Sequence, residues 1–253
     1  MKSLFVLLLA LFSFSLHAQQ VDTNFHVYLL VGQSNMAGRG QLDEISKQTN
    51  AQILMLDSTN HWVEAKDPVH FDKPNAAGVG PAIGFANKML EANPTVKIGL
   101  IPCAWGGSPI KVWQPNVVYL STHHPYDEAI ARAQIAMQTG VLKGVLWHQG
   151  ESDNDSSRSK VYVEKMKTLI ARFRTDLQQP NLPFVLGEIG YFNKVNFINP
   201  LLPEITKQVA NAAFVSADGL INRGDHLHFD SPSARELGRR YAVAMMQLQT
   251  TTK

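Results

Sequence analysis

Short apolar runs alternate with longer segments of helical periodicity along this chain, and that alternation leaves few architectures open to it. The runs are Phe25–Val31, Ala51–Leu56, Val96–Pro102, Gly144–His148 and Pro183–Ile189. Runs of this length, apolar on both faces, read as buried parallel strands, and the segments between them supply the crossover helices. The periodicity predicts helices over Pro81–Ala92, Tyr126–Thr139, Lys160–Leu177, Leu202–Asn211 and Pro232–Gln249, with a short extra strand over 213–216. Ser231 reads as the cap of the last helix, with Pro232 in its first turn, where a missing N–H costs nothing. An α/β fold follows: a central five-stranded parallel sheet with helices on both faces.

The 253 residues are 45% hydrophobic and 17% charged, enough apolar material for one large core. No repeat, low-complexity tract or Gly/Ser linker divides them, so residues 19–253 read as one domain. Residues 1–18 read as a secretory signal: Lys2 opens it, 4–16 is mostly apolar, and Leu16-His17-Ala18 is an acceptable cleavage site. That run is short for a membrane span and no second one follows, so no membrane association is expected after cleavage. The formal charge of +2 comes without a basic run, which argues against nucleic acid as a partner. Cys103, the single cysteine, has no partner for an intramolecular disulfide and reads as a buried small residue at a strand end. The stretches 39–50, 59–78, 114–124 and 191–200 are long connectors, the places where such folds build substrate sites.

In a parallel sheet the carboxyl edges of all strands point the same way, so residues remote in sequence converge there. Four segments lie at or near that edge: Gly32-Gln33-Ser34-Asn35, Trp105-Gly106-Gly107-Ser108, Trp147 to Asp153, and Asp225-His226-Leu227-His228. A serine after a strand more often caps the next helix than attacks a substrate. The downstream pair changes the weighing. Three positions on one helical turn place Asp225 and His228 on the same side, so the carboxylate reaches Nδ1 and leaves Nε2 for a serine. Acyl transfer needs a nucleophile, an oriented base and donors for the developing oxyanion. Ser34, then His228 with Asp225, fill the first two roles. The backbone N–H groups of Ser34 and Gly107 and the side-chain amide of Gln149 supply the donors.

His226 is the rival base, but it is adjacent to Asp225 and points elsewhere. Metal ligation by Asp225, His226, His228 and Asp230, or by His123 and His124, lacks a convincing third element, so neither metal nor other cofactor is expected. Trp105 and Trp113 offer aromatic faces for stacking on a ligand ring, although core packing is the commoner fate of such tryptophans. Gln33, Asn35 and His148 are further candidate substrate contacts. Arg39 is placed to meet a ligand carboxylate by a bidentate pair, against the bland reading of a solvated loop arginine.

The blocks GQSNMAG, WGGSPI, WHQGESD and DHLH, in that order from Gly32 to His228, resemble the SGNH hydrolase superfamily. Within it they resemble the branch of sialate O-acetylesterases and family-six carbohydrate esterases (acetylxylan esterases). The resemblance implies a flavodoxin-like three-layer α/β/α sandwich, a metal-free Ser-His-Asp mechanism, and an acetylated carbohydrate as substrate, acetylated xylan or a related plant polysaccharide first, with an O-acetylated sialic acid as the alternative. It places Ser34 as nucleophile, Asp225 and His228 as the final pair, and Gly107 as the glycine donor. The wider superfamily has Asn in the third block where this chain has Gln-Gly-Glu. That departure leaves Glu151 open between an orienting carboxylate and an alternative partner for His228. No Gly-x-Ser-x-Gly elbow surrounds any serine, which argues against the α/β-hydrolase fold.

Overall fold

The computed structural model describes residues 21–251; the segment read as a secretory signal lies outside them. Seven strands form one sheet: β1 (Asp22–Gly32), β2 (Ile53–Leu56), β3 (Trp62–Glu64), β4 (Lys97–Pro102), β5 (Gly140–His148), β6 (Phe184–Gly187) and β7 (Ala212–Val215), in the order β3-β2-β4-β1-β5-β6-β7. Every pairing is parallel except the β2–β3 hairpin at one edge. Two strands thus join the expected five. The short run at 212–215 extends the far edge as β7, and β3 lies within a stretch that reads as loop.

β1 is central because alternate residues serve two cores. Val27, Leu29 and Val31 face one hydrophobic layer, and Tyr28 and Leu30 the other. The first layer is closed by α3 (Pro125–Ala136), α4 (Tyr162–Asp176) and α5 (Leu202–Gln208), which contribute Ala129, Met166, Phe173 and Leu202. The second is closed by α2 (Pro81–Ala92) and α6 (Ser231–Thr251), through Phe85, Met89, Leu237 and Tyr241. This is the three-layer α/β/α sandwich of the SGNH type. A short α1 (Ser34–Ala37) follows β1 directly.

The chain builds the β2/β4 side of β1 first and then crosses to β5, so the strand order reverses at β1. The crevice outside the carboxyl ends of β1, β4 and β5 is therefore where a ligand site is expected. At the start of α6 the capping differs from expectation. Asp230 Oδ1 accepts the N–H of Ser233 at 2.8 Å, whereas the Ser231 hydroxyl donates to Gln41 O. Asp230 is the cap, and Ser231 ties the helix to the loop beyond α1. Among the described residues no helix is long and apolar enough to cross a membrane.

Candidate active site

At the end of β1, Gly32 has φ +131°, and a Cβ there would lie 2.0 Å from His148 O. Only glycine permits β1 and β5 to close at this point, and the closure sets the next residues at the crevice. Ser34, buried at 6% exposure, holds its Oγ 3.0 Å from His228 Nε2. His228 Nδ1 lies 2.8 Å from Asp225 Oδ2. With a proton on Nδ1 directed at the carboxylate, Nε2 is left to accept the serine hydroxyl.

Asp225 and His228 do not share a helical turn. Asp225 Oδ1 accepts the N–H groups of Leu227 at 3.0 Å and His228 at 2.8 Å, and His226 between them takes the left-handed conformation with φ +56°. This is a side-chain-closed Asx turn, whose tight loop brings a residue and its third neighbour together as a helix would. It also turns His226 outward, exposed, so His228 is the histidine that meets Ser34. Partial burial pushes the Asp225 carboxyl up, but the His228 N–H, the His228 ring and the Leu227 N–H outweigh it and hold it at about 2.

The β4 loop is fixed on three sides. Gly106 N donates to Asp72 Oδ2 at 2.8 Å, Tyr119 Oη donates to Gly106 O at 3.0 Å, and Ser152 Oγ donates to Gly107 O at 2.9 Å. In a trans peptide the N–H opposes the preceding C=O, so the Gly107 N–H points away from Tyr119. Gly107 has φ +81°, a conformation suited to glycine. Neither Ser34 N nor Gly107 N donates to another described residue. Both residues line a cleft of about 890 Å³ together with His228 and Asp225.

Several expected contacts are placed elsewhere. Gln149 is fully buried, and its Nε2 is engaged by Asp153 Oδ2 at 2.6 Å, Ser108 O at 3.2 Å and Gln33 Oε1 at 3.3 Å. Its amide knits the β4 and β5 loops together and is not presented to the cleft. Gln33 does line the cleft. Its Oε1 accepts from Gln149 and from Ser152 N at 3.2 Å, so its Nε2 is the end left without a partner among the described residues. Trp113 is in the core, edge-on to Trp147 with Nε1 donating to Ser108 Oγ at 3.0 Å. Trp105 stacks on His123 at 3.9 Å and donates to Glu128 Oε2 at 3.1 Å, outside the cleft lining. His148 and Asn35 are likewise buried beneath the site, not in the cleft wall.

Arg39 borders the cleft, but its guanidinium is taken. Nη2 lies 2.7 Å from Asp72 Oδ2 and Nη1 2.7 Å from Gly38 O. The cation left to meet a ligand is Lys73, exposed; Arg223, also on the cleft wall, lies 3.5 Å from Asp225 Oδ2 and donates to Arg39 O. Sequence reasoning missed both, because nothing local to either residue announces the cleft. Among the described residues no three His, Cys, Asp or Glu side chains are grouped as metal ligands.

Residues 24–247 match the model of the carbohydrate esterase, sialic acid-specific acetylesterase family. The chain belongs to this family. Across it, the chain is 34% identical over 245 residues to the probable carbohydrate esterase At4g34215 of Arabidopsis thaliana, covering 87% of this chain and 90% of that protein. The crystal structure of that Arabidopsis protein superposes with a TM-score of 0.79 at 31% identity, over 89% of this chain and 99% of the other. A sialate O-acetylesterase of Pongo abelii is 28% identical over 162 residues, half of this chain but 31% of that longer protein. The NanS crystal structure shares the fold with a TM-score of 0.73 at 20% identity, over 92% of this chain and 99% of that one.

Proposed function

We propose that this member of the family is a secreted serine esterase that removes O-acetyl groups from carbohydrate. The observation that carries the reading is the continuous Ser34–His228–Asp225 hydrogen-bond chain on the wall of an open cleft. Ser34 Oγ attacks the acetyl carbonyl carbon while its proton passes to His228 Nε2. Asp225 holds the imidazole and stabilises its cationic form. The tetrahedral oxyanion is met by the N–H groups of Ser34 and Gly107. Because the Gln149 amide is spent inside the protein, the side-chain donor in this reading is Gln33 Nε2.

As the bond between the acetyl carbon and the sugar oxygen breaks, His228 gives its proton to the departing sugar oxygen, leaving acetyl-Ser34. Water then attacks the acetyl group with His228 as base, and acetate leaves as the proton returns to Ser34. A protein that only binds sugar needs no such alignment of hydroxyl, imidazole and carboxylate.

The two expected substrates differ in charge and shape. Acetylated xylan is a neutral chain that favours a groove with aromatic walls, yet neither Trp105 nor Trp113 lines this cleft. Lys73 does line it, exposed and with no side-chain hydrogen-bond or ion-pair partner among the described residues, while Asp225 faces both His228 and Arg223 and Glu151 is held by Asn35. That balance favours an anionic acetylated sugar of the sialic acid kind over xylan.

The test is acetate release by wild type and Ser34→Ala from acetylated xylan, O-acetylated sialic acids and 4-nitrophenyl acetate, with chelator present. Loss of release in Ser34→Ala with the fold retained supports the reading. Undiminished release by Ser34→Ala, or none from any substrate by wild type, overturns it.

A further inference from the structure

Asn35, the residue after the nucleophile, is buried with every polar atom of its side chain in use. Nδ2 donates to Leu227 O at 3.1 Å and to Glu151 Oε1 at 2.5 Å, and Oδ1 accepts the N–H of Phe229 at 3.1 Å. The orientation of the amide is set by its partners, since an N–H can only donate and a carbonyl can only accept. Leu227 and Phe229 flank His228 in the chain. One side chain, attached beside Ser34, thus grips the backbone on both sides of the histidine that Ser34 must meet.

Glu151 fixes the far side of that grip. It arrives from the loop after β5 and lies beside His148, whose Nε2 is 3.6 Å from the same Oε1. The Tyr241 hydroxyl donates to Trp147 O at 2.8 Å, so the 3.1 Å contact between Tyr241 and His148 Nδ1 runs from the imidazole N–H to the phenol oxygen. Burial pushes the Glu151 carboxyl up, but His148 and Asn35 outweigh it and hold it below the usual range. The chemistry described above does not call on this carboxylate, because His228 Nδ1 already has Asp225. Burying a charge with no chemical task is costly, and a role in holding geometry would account for it.

We propose that Glu151 is a positioning residue for the general base and acts on His228 through Asn35, as a hydrogen-bond acceptor rather than as a charge partner of the imidazole. Fixed by Glu151, the Asn35 amide holds the 227–229 backbone at the distance that puts Nε2 on Ser34 Oγ. Small errors in that distance are expensive: a displacement of about 1 Å costs on the order of a hundredfold in rate. A neutral acceptor of the same shape at position 151 would hold Asn35 as well as the carboxylate does.

The proposal rests on reading His228 as the base and is separable from it. The experiment measures kcat, KM and the pH profile of kcat/KM on 4-nitrophenyl acetate for wild type, Glu151→Gln, Glu151→Ala and Asn35→Ala, with Ser34→Ala alongside. The titratable groups packed around Glu151 are His148, Tyr162 and Tyr241, and burial holds both phenols well above their usual range. Glu151→Ala and Asn35→Ala are expected to lose roughly a hundredfold in kcat with KM little changed. Glu151→Gln is expected to recover at least about tenfold of that loss, with the midpoint of the pH profile unmoved.

Glu151→Gln as inactive as Glu151→Ala, a profile midpoint displaced to lower pH once the negative charge is gone, or Asn35→Ala at wild-type kcat would each overturn the proposal. Should Glu151→Ala not fold, Glu151→Gln measured against Asn35→Ala decides the matter on the same criteria. An active Ser34→Ala would instead reject the serine mechanism itself.

Discussion

Arg39 and Asp72, thirty-three residues apart, form a buried pair with Nη2 2.7 Å from Oδ2, and that same oxygen receives the N–H of Gly106. The pair therefore links the loop after α1 to the N–H of Gly106, one residue before Gly107. Asp72→Ala leaves a guanidinium buried without its counter-charge, which costs about 3–5 kcal/mol. It also frees the Gly106 peptide. Unfolding by denaturant should show a loss of that size, and kcat of the folded fraction should fall with it. A loss below about 1 kcal/mol, the range of exposed pairs, would mean that the pair is solvated in solution.

The two glutamines of the site should separate by readout. Gln33→Met removes the amide N–H that faces the cleft, and kcat is expected to fall by about 10²–10³-fold, the usual loss for one oxyanion donor. Gln149→Met instead removes the amide that joins Asp153 to Ser108. Its expected effect is a stability loss of about 1–3 kcal/mol from the acceptors left unsatisfied. Steady-state kinetics and denaturant unfolding on both variants check this. The reverse pattern would return the oxyanion role to Gln149.

That reversal between Gln33 and Gln149 marks where sequence reasoning stops. The apolar run of β1, the serine at its end and the Asp-x-x-His spacing are local patterns, and local patterns fix which strand ends converge. Which way Gln149 turns depends on Asp153 and Ser108, supplied by loops that meet only once the sheet has formed. Arg39 reads as free for the same reason, because its partner Asp72 sits in a connector without periodicity. That connector also hides β3, whose three residues are too short to announce a strand and pair only because β2 lies alongside. Asp225 and His228 meet as expected but through an Asx turn, since a side-chain acceptor closes a loop as compactly as a helical hydrogen bond.

Lys73 gives a clean test of substrate charge, since it lines the cleft without touching Asp225 or His228 through any hydrogen bond or ion pair. Lys73→Met is expected to raise KM for an O-acetylated sialic acid by about tenfold, equivalent to about 1.4 kcal/mol. KM for neutral 4-nitrophenyl acetate should stay put. Added salt should raise KM for the anionic substrate in wild type, because an exposed charge is screened within about 10 Å at 0.1 M ionic strength. Equal KM changes for both substrates would remove the charge argument and leave xylan the better reading.

Asp67 sets a pH dependence of stability that is independent of catalysis. It is buried, and among the described residues its Oδ2 is unpartnered and its one hydrogen bond is a long 3.5 Å contact from Gly80 N. Burial pushes its carboxyl up to about 7, against a weaker opposing pull from the Gly80 N–H and from Arg235. In the unfolded chain the same carboxyl titrates near 3.8. Between those two values the folded protein holds the proton and the unfolded chain has released it. Stability therefore falls as pH rises across this window, at up to on the order of 1 kcal/mol per pH unit. Asp67→Asn carries no titrating proton and should flatten that slope while keeping an oxygen to accept from Gly80. Denaturant unfolding of both proteins from pH 4 to 8 would show it, and parallel curves would mean that Asp67 is solvated or paired in solution.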